Sequence, residues 1–353
     1  MASELGQIIP IGTWAEWACI PDRGKPGMYL DGNAVATRLG IQSKAWSPTR
    51  FSSLEPAIDV GRRALEAAGL GPDDVDACVV VTCTPFQLHL NQDAFEVARG
   101  LGLPDDVPST LLQAGCGGLA RTFATAARSN ARRTLVVAFN ATSRYMLDHL
   151  GGPNEIYRDN PMHPRGKTLW YSPALFSDAA AAVVLERTDD TTGHWLYARD
   201  THSFGDEPGF DNPLVEFRGG GAEHPPGTPS ATTLAAFSMD GDAVLKYYTE
   251  GMRLNHQALL ETEPELTRTF RRLYTHQASP GLVAKTLQTM GLGPEFAPTH
   301  AQRIGNVVTA STLCLLSDDV ASETVRAGDR VCFSVVGAGP ERGAFTIPWV
   351  GSR

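Results

Sequence analysis

Long apolar runs, clustered cysteines and an excess of basic residues are all missing from this sequence. No stretch approaches the roughly 20 apolar residues that a membrane-spanning helix requires. Six cysteines are scattered over 353 residues and none is spaced as CxxC, which argues against a disulfide scaffold and a zinc knuckle. Lys and Arg number 30 against 39 Asp and Glu, a formal net charge of −9, so the composition excludes a protein dominated by nucleic-acid phosphate contacts.

The first ten residues also lack the basic start and apolar run of a secretory signal. We therefore expect a cytoplasmic protein with reduced thiols. The composition that remains is typical of a globular enzyme, with 42% hydrophobic and 20% charged residues. A chain of this length exceeds what one hydrophobic core usually fills, so two domains or two fused halves are expected.

Short β-branched runs alternate with helical patterns, which is typical of an α/β protein. In the first half we predict helices and strands over 53–69, 77–84, 92–101, 109–113, 118–130, 134–139, 179–186 and 195–199. In the second half the corresponding segments are 239–261, 272–276, 281–290, 311–317 and 330–336. Each half offers helix, strand and helix in the same order, which fits an internal duplication.

Cys116 lies in the segment QAGCGGLA (113–120), between a predicted extended segment and an alanine-rich helix. A cysteine at a helix N-terminus lies beside unpaired N–H groups and the positive end of the helix dipole, which favour the thiolate. On local sequence alone, a buried cysteine in a tight strand-to-helix turn explains the segment equally well. The remaining cysteines lie in predicted apolar segments, and we expect them in the core: Cys19, Cys78, Cys83, Cys314 and Cys332.

A nucleophilic thiolate needs neighbours that handle protons and stabilise an oxyanion. His276 stands in YTHQAS, at the C-terminal end of a predicted strand, where α/β folds commonly place reactive groups. Asn306 follows Gly305 in RIGNVVT, at the entrance of a helix of small residues. Either residue alone would more often be a structural hydrogen-bonding group, and only their combination with Cys116 predicts catalysis.

These three segments resemble the catalytic motifs of the β-ketoacyl-acyl carrier protein synthase III family, part of the thiolase superfamily. Three further segments occur in the family's order. TRLGI (37–41) resembles its RTGI, FSDAAAAVVLE (176–186) its FGDGAGAVVLE, and GDRVCFSVVGAGPERGAF (328–345) its closing strand and glycine loop. The resemblance covers essentially the whole chain.

The resemblance implies the fold. Two similar α/β halves, each with a five-stranded mixed sheet, would stack in five layers (αβαβα), usually in a homodimer. Residues 1–190 would form the half with the nucleophilic cysteine, and residues 191–353 the half with the histidine and asparagine.

The resemblance also implies an acyltransferase. Cys116 would take an acyl group from a thioester, and His276 and Asn306 would stabilise the enolate that a malonyl-type thioester leaves on losing CO2. Backbone N–H groups of Cys116 and Ala338 would form the oxyanion hole. No metal or organic cofactor is implied, since CoA or carrier-protein phosphopantetheine arrives as part of the substrate. Further substrate contacts are implied for Arg38, Phe86, Ser279, Gly305, Gly337 and Gly339.

The sequence departs from the family in ways that concern the substrate. Residues 31–36 (DGNAVA) lack the tryptophan that CoA-using members carry for adenine. HQAS-Pro-Gly places Ser279 and Gly281 where the family has an asparagine and a carrier-docking arginine. Arg271, Arg272 or Lys285 could take over the carrier-docking role of that arginine.

Segments 146–175 and 203–230 are rich in Pro, Gly and His, and are either solvated loops or lids. Phe86, Leu88 and Leu90 alternate, which fits one strand face or a pocket wall at Phe86. Together these departures predict a specialised relative from a natural-product pathway.

Three alternatives to condensation remain. Some relatives pass the acyl group to a hydroxyl or amine, or shuttle it to another carrier. With a hydroxyl or amine acceptor, His276 would be a general base. A catalytically silent partner subunit is disfavoured because the chain keeps Cys116. A thiolase would normally have a second cysteine in the C-terminal glycine loop, and residues 337–340 contain none.

Overall fold

The computed structural model describes residues 1–88, 90–148, 150–158, 169–189, 195–199, 214–217 and 237–351. Its strands are β1 (Ala2–Leu5), β2 (Ile8–Pro10), β3 (Ser43–Ala45), β4 (Ala77–Thr82), β5 (Ser109–Gln113), β6 (Arg133–Asn140), β7 (Ala179–Glu186), β8 (Trp195–Arg199), β9 (Val215–Phe217), β10 (Phe237–Met239), β11 (Arg272–Thr275), β12 (Arg330–Gly337) and β13 (Glu341–Pro348). Its α-helices are α1 (Ile11–Ala18), α2 (Gly32–Leu39), α3 (Glu55–Ala67), α4 (Gln92–Leu101), α5 (Gly118–Arg128), α6 (Thr142–Tyr145), α7 (Glu155–Arg158), α8 (Tyr171–Leu175), α9 (Gly241–Thr262), α10 (Leu266–Thr269), α11 (Pro280–Thr289), α12 (Ala301–Ile304) and α13 (Ser311–Ala321). Three 3-10 turns complete the set: Arg50–Ser52, Pro72–Asp74 and Val308–Ala310.

The first sheet has the strand order β1-β7-β6-β4-β5. β4 runs parallel to both of its neighbours, so that Val80 lies opposite Leu111 on one side and Val137 on the other. β7 and β1 complete the sheet in antiparallel orientation. The central strands are almost continuous runs of apolar residues, as expected for strands buried on both faces. β5 forms one edge of this sheet.

The second sheet has the order β11-β12-β13-β8. β11 runs parallel to β12, with Thr275 opposite Ser334, and β13 is antiparallel to β12 and β8. A tight turn joins β12 to β13, and Gly337 is paired with Glu341 across it. The first sheet has the five strands expected, and the described residues supply four strands to the second.

Helices separate and cover the two sheets. α3 and α4 pack on the outer face of the first sheet, α5 and α13 lie between the sheets, and α9 covers the outer face of the second. This is the αβαβα layering that the resemblance implied. Every strand of the first sheet lies between residues 2 and 186, and every strand of the second between 195 and 348. The division at residues 190 and 191 stays a prediction.

Aromatic packing fixes α5 against the second sheet. The ring of Phe123, on α5, stacks on Phe345 of β13 with centroids 4.2 Å apart, and Phe345 stacks on Phe333 of β12 at 4.7 Å. All three rings are buried, so they contribute apolar burial as well as ring–ring attraction. The helix that begins just after Cys116 is thereby anchored to the opposite half of the molecule.

Sequence patterns located the long elements to within about two residues at most ends. The N-terminal elements β1, β2, α1, α2 and β3 were not predicted, because each is too short to establish a period. Residues 31–36 form the start of α2, whose N-cap Asp31 accepts a hydrogen bond of 2.7 Å from the backbone N–H of Ala34. Among the described helices, none has the length and apolar character needed to cross a bilayer.

The cysteines correct one expectation. Cys78, Cys314 and Cys332 are buried as predicted, whereas Cys19 and Cys83 are partly exposed. Cys19 ends α1 in the left-handed conformation, with φ of 48°, so it lies at a helix end rather than in the core. Cys83 follows the end of β4, because that strand stops at Thr82 and not at the predicted residue 84.

Lys44, in β3, is fully buried. Its ammonium group lies over the ring faces of Trp14 and Trp46, at 4.8 and 4.5 Å from their centroids. Burial lowers the pKa of the Lys44 amine, and the carboxylate of Asp178 acts in the opposite direction. Nζ donates hydrogen bonds to three backbone carbonyls, those of Pro173, Ala174 and Phe176.

Candidate active site

Cys116 lies in the turn that joins β5 to α5, two residues before the helix begins at Gly118. The side chain is partly exposed and packs against an apolar cluster that includes Met146, Phe176 and Val308. The turn thus presents the thiol to a small apolar region between the N-terminal segments and the body of the first half.

The side chain of Asn306 lies near the Cys116 thiol and lowers its pKa. Its Oδ1 accepts a hydrogen bond of 2.8 Å from the backbone N–H of Val308, and its Nδ2 donates one of 3.2 Å to the carbonyl of Ala278. These bonds orient the amide, and the second one ties it to the loop that carries His276.

Gly305 makes the position of Asn306 possible. Its φ is +75°, and a Cβ there would overlap the Ser177 hydroxyl and lie 2.9 Å from the carbonyl of Leu175. Only glycine meets both conditions without strain. The chain after it then bonds to the first half, because the N–H of Asn306 donates to Leu175 O and the N–H of Ser177 donates to Asn306 O, both at 2.9 Å.

His276 directly follows β11 and is buried. Its backbone N–H donates to the carbonyl of Ser334 at 3.0 Å, and its carbonyl accepts a hydrogen bond of 2.8 Å from the hydroxyl of Tyr248, on α9. Within the described residues, no hydrogen-bond partner reaches Nδ1 of the ring. Burial lowers the pKa of His276 to about 3, so the imidazole is neutral near pH 7.

The ionisation of Cys116 depends mainly on its burial. Burial raises the pKa of the thiol, and the nearby Cys83 and Glu341 raise it further. The side chain of Asn306 and the backbone N–H of Cys116 act in the opposite direction but have smaller effects. Of the two states that the local sequence allowed, the protonated thiol is therefore favoured in the resting site, because desolvation is the largest influence on its pKa.

The glycine turn after β12 lies directly against the turn of Cys116. A Cβ on Gly117 would lie 2.9 Å from the backbone nitrogen of Gly337, and a Cβ on Gly337 would overlap the nitrogen of Gly117. This close approach needs glycine at both positions. It brings Ala338 and Gly339 beside the segment that carries the nucleophile.

The other sequence-predicted contacts are spread around this centre. Ser279 occupies the N-cap position of α11. Arg38, near the end of α2, is exposed, and its guanidinium lies 5.8 Å from the ring centroid of Trp170. Phe86 stacks on Phe139 at 6.0 Å, in the cluster on the outer face of the first sheet, while Cys116 packs against another cluster. Substrate contact by these three residues stays a prediction.

Residues 86–88 and 90, the part of this segment that the structure describes, do not form a strand. The carboxylate of Asp93 fixes the start of this segment, because it accepts hydrogen bonds of 2.7 and 2.8 Å from the backbone N–H groups of Phe86 and Gln87. Leu88 and Leu90 are exposed, and Leu90 has a φ of +59°. Apolar alternation over five residues was therefore a misleading sign of a strand, since a loop bound to a side chain has the same spacing.

The three proposed substitutes for the docking arginine differ in position. Arg272 forms a half-buried ion pair of 3.0 Å with Asp319, and Arg271 donates to the carbonyl of Thr324. Arg271 precedes β11 and Arg272 is its first residue, so both lie at the end of the strand opposite His276. Lys285 is exposed on α11, the helix that follows the His276 loop. Most of segment 203–230 and residues 159–168 of segment 146–175 lie outside the described residues, so their predicted role as lids stays a prediction.

Sequence reasoning missed the residues that surround the thiol. Cys83 and Glu341 both influence the pKa of Cys116, and the Cys116 thiol contributes to a raised pKa of Tyr248. Glu341 stands in the same glycine-rich loop as Ala338, and a carboxylate among glycines was the signal that could have drawn attention to it. For Tyr248 the sequence carries no such signal, because it is one apolar-face residue of a long helix.

Comparison with known proteins agrees with this arrangement. Residues 266–349 match the sequence model of the C-terminal region of 3-oxoacyl-[acyl-carrier-protein] synthase III. The chain is 26% identical over 344 residues to the β-ketoacyl-[acyl-carrier-protein] synthase III 3 of Streptomyces coelicolor, covering 94% of this chain and 95% of that protein. It is 26% identical over 348 residues to the β-ketoacyl-[acyl-carrier-protein] synthase III of Cereibacter sphaeroides, covering 94% and 96%.

Solved structures share the fold at low sequence identity. The 3-oxoacyl-(acyl carrier protein) synthase III of Pseudomonas aeruginosa superposes with a TM-score of 0.72 at 22% identity, covering 99% of this chain and 97% of that one. The priming β-ketosynthase of the R1128 polyketide pathway gives 0.75 at 20%, covering 99% and 95%. The chain thus has the thiolase fold. Its relatives identify it as a β-ketoacyl-acyl carrier protein synthase III-like enzyme, of the acyltransferase class.

Proposed function

We propose that the protein forms an acyl-Cys116 intermediate from an acyl thioester and condenses it with a malonyl-type thioester, with loss of CO2. The observation that carries this proposal is that the side chain of Asn306 lies close enough to the Cys116 thiol to lower its pKa. The amide of Asn306 also donates a hydrogen bond to the carbonyl of Ala278, in the loop that carries His276. Both contacts support a site formed by three segments that are distant in sequence.

The first step is transfer of the acyl group. The sulfur of Cys116 attacks the thioester carbon, the thiol of CoA or phosphopantetheine leaves, and the thiol proton passes to the leaving sulfur. Because the resting pKa of Cys116 is raised, this proton must be removed as the attack proceeds. Neutral His276 can accept it in transit, since its Nδ1 or Nε2 carries a free electron pair.

The second step forms the carbon–carbon bond. Loss of CO2 from the malonyl-type thioester leaves an enolate, which N–H donors of His276 and Asn306 stabilise. A neutral imidazole suits this role, since it donates a hydrogen bond without being consumed. The enolate carbon attacks the acyl carbon, and backbone N–H groups of Cys116 and Ala338 hold the oxyanion. The packing of Gly117 against Gly337 supports this pairing.

A small cavity lies near the Asn306 segment. It has a volume of about 20 Å³ and is lined by Thr84, Thr142, Tyr145, Met146, Ser172, Pro173 and Phe176. One of these residues, Phe176, also forms a backbone bridge to Asn306. A volume of this size holds about one water molecule, so this cavity offers no room for a long acyl chain. No metal or organic cofactor is part of the proposed reaction.

A specific observation favours a second candidate, transfer of the acyl group to a hydroxyl or amine. Gly281 is exposed at the start of α11 and replaces the arginine expected to dock a carrier protein. Lys285, one turn further, is the exposed cation nearest to that position on the same helix. The retained Asn306 weighs against this candidate, because ester or amide formation involves no enolate for its amide to stabilise.

Assembly and context belong to the same proposal. Exposed Leu88, Leu90 and Phe95 adjoin the edge strand β5, which supports a homodimer formed across that edge. None of the six cysteines forms a disulfide, which supports a reducing cytoplasm. Similarity to a polyketide priming ketosynthase supports a natural-product pathway.

Intact-protein mass spectrometry with acetyl, propionyl and malonyl thioesters tests the function. We expect a simple acyl adduct on Cys116, retained in Cys83→Ala and lost in Cys116→Ala, followed by CO2 release on addition of malonyl thioester. Product formation at the wild-type rate by Cys116→Ala would contradict the proposal. A stable malonyl adduct that is passed intact to a hydroxyl or amine would favour the second candidate.

A further inference from the structure

Glu341 is a buried carboxylate at the edge of the candidate site. It is the first residue of β13, directly after the glycine turn, and only 3% of its surface is exposed. Its carboxylate forms an ion pair of 3.1 Å with Arg121, whose side chain is 36% exposed. Arg121 lies on α5, one turn beyond Gly117. Burying a charge is costly unless it is paired. The ion pair with Arg121 therefore stabilises the buried carboxylate of Glu341 at this position.

Two glycines create the space that Glu341 occupies. A Cβ on Gly117 would lie 2.5 Å from Glu341 Cγ, and a Cβ on Gly337 would lie 3.0 Å from both Cγ and Oε1. The side chain is thus pressed between the turn that carries Cys116 and the turn that carries Ala338. Arg342, the next residue, points to the other side of β13, toward Asn255 of α9.

The position of Glu341 adds to the effect of burial, which is the main cause of the raised pKa of Cys116. The carboxylate lies at the N-terminal end of this eleven-residue helix, where an anion interacts favourably with the helix dipole. Glu341 therefore occupies the electrostatic position that sequence reasoning gave to Cys116. The negative charge of Glu341 acts on both nearby thiols and raises the pKa of Cys116 and of Cys83.

We propose that Glu341, held by Arg121 between Gly117 and Gly337, is a specificity-determining residue that keeps negatively charged acyl groups off Cys116. The inference rests on the proposed acyl-Cys116 chemistry and deepens it by naming the substrate class: uncharged acyl groups at the nucleophile. A malonyl-type group on Cys116 would bring a second carboxylate into a poorly solvated region, where like charges repel strongly. The malonyl-type thioester is thereby restricted to the role of extender, with its carboxylate away from the Cys116 turn.

Alkylation of Cys116 measures this selectivity without knowledge of the substrate. Iodoacetamide and iodoacetate differ mainly in charge, so the ratio of their rates at Cys116, located by peptide mass spectrometry, reports the local field. We expect Glu341→Gln to raise the iodoacetate-to-iodoacetamide ratio about threefold or more and to shift the midpoint of the pH–rate profile downward. Arg121→Met should change both quantities in the opposite direction.

Glu263→Gln is the matched control, because Glu263 also forms a part-buried ion pair, 2.7 Å from Arg330, and Glu263 influences Cys332 rather than Cys116. We expect its ratio to equal that of the wild type. Mass spectra with malonyl and acetyl thioesters form a second readout, and Glu341→Gln should increase malonyl loading relative to acetyl loading. Circular dichroism confirms that each variant is folded.

The outcomes separate the two proposals. An unchanged ratio and unchanged pH midpoint in folded Glu341→Gln would overturn the role of Glu341 while leaving acyl-Cys116 chemistry intact. If wild-type Cys116 reacts with neither reagent, the proposed function fails. The role of Glu341 is then decided by thiolate absorbance near 240 nm, taken as the difference from Cys116→Ala. A lower midpoint in Glu341→Gln would support the inference, and an equal midpoint would refute it.

Discussion

The side chain of Asn306 lies near the thiol of Cys116 and lowers its pKa, although the two residues come from opposite halves of the chain. Burial acts on the same thiol in the opposite direction and is the larger influence. Asn306 belongs to a loop held by Gly305, whereas Cys116 lies in the turn between β5 and α5. The nucleophile and its polar neighbours are therefore correctly placed only when both halves are packed together.

Replacing Asn306 with Ala should separate the two steps of the reaction. Condensation with a malonyl thioester should fall about 100-fold, because one donor to the enolate is lost. Acylation of Cys116 by an acetyl thioester should fall much less, since it does not use the enolate site. Single-turnover acylation and steady-state CO2 release measure the two rates. Equal losses in both steps would contradict the assignment of Asn306 to the enolate.

Gly305→Ala should destabilise the protein more than an ordinary glycine replacement. The new Cβ adds a clash with Ser177 and Leu175 to the strain of a φ of +75°, for a loss of about 3 kcal/mol or more in the free energy of unfolding. Gly328→Ala is the matched control, because φ there is +93° and no atom lies within 4 Å of the added Cβ. Strain alone should cost about 1 kcal/mol. Urea unfolding measures both losses, and equal values would show that the clash is absent.

Stability should fall as the pH drops below about 6.5, the pKa of histidine in an unfolded chain. Burial lowers the pKa of both His276 and His300 to about 3, so between these values the unfolded state binds more protons. Each such histidine contributes up to about 1.4 kcal/mol per pH unit to the decline. Urea unfolding between pH 7 and 5 should therefore show a shallower decline in His300→Gln than in the wild type. Parallel curves for the two proteins would show that His300 is protonated in the folded state.

The proposed dimer should dissociate when its apolar surface is charged. Leu90 is 80% exposed and Phe95, on α4, is 51% exposed, and both adjoin the edge strand β5. We expect Leu90→Asp with Phe95→Asp to convert a dimer to a monomer in sedimentation velocity. Leu260→Asp, at a 38% exposed position on α9, is the control and should remain dimeric. A wild-type protein that sediments as a monomer at micromolar concentration would rule out the dimer.

The sequence predicted those parts of the fold where one physical signal dominates. β4 and β6 were found because unbroken apolar runs mark strands buried on both faces, and α3 because its apolar residues recur at helical spacing. Cys116, His276 and Asn306 were proposed because each stands in a short motif with a known chemical use. Whether such residues meet depends on tertiary packing, which spacing along the sequence alone does not give.

The ionisation state of the site residues was the main property that the sequence could not predict. The environment of Cys116 was judged from its place before a helix, yet its pKa depends on burial and on Glu341, which comes from the other end of the chain. Cys83 was assigned to the core because β4 was expected to be two residues longer. In both cases the local pattern identified the right type of segment. The ionisation of Cys116 and the burial of Cys83, however, depend on how the chain folds around them.

Lys44 has a chemical consequence in an enzyme that handles reactive acyl groups. A lowered amine pKa increases the neutral fraction of a lysine, and neutral amines attack thioesters to give stable amides with release of the thiol. The three carbonyls that bind Nζ and the two tryptophan rings leave no surface of this side chain exposed. The fold therefore protects its own lysine from the substrate, and an amide at Lys44 would mark molecules that had opened in the presence of acyl donor.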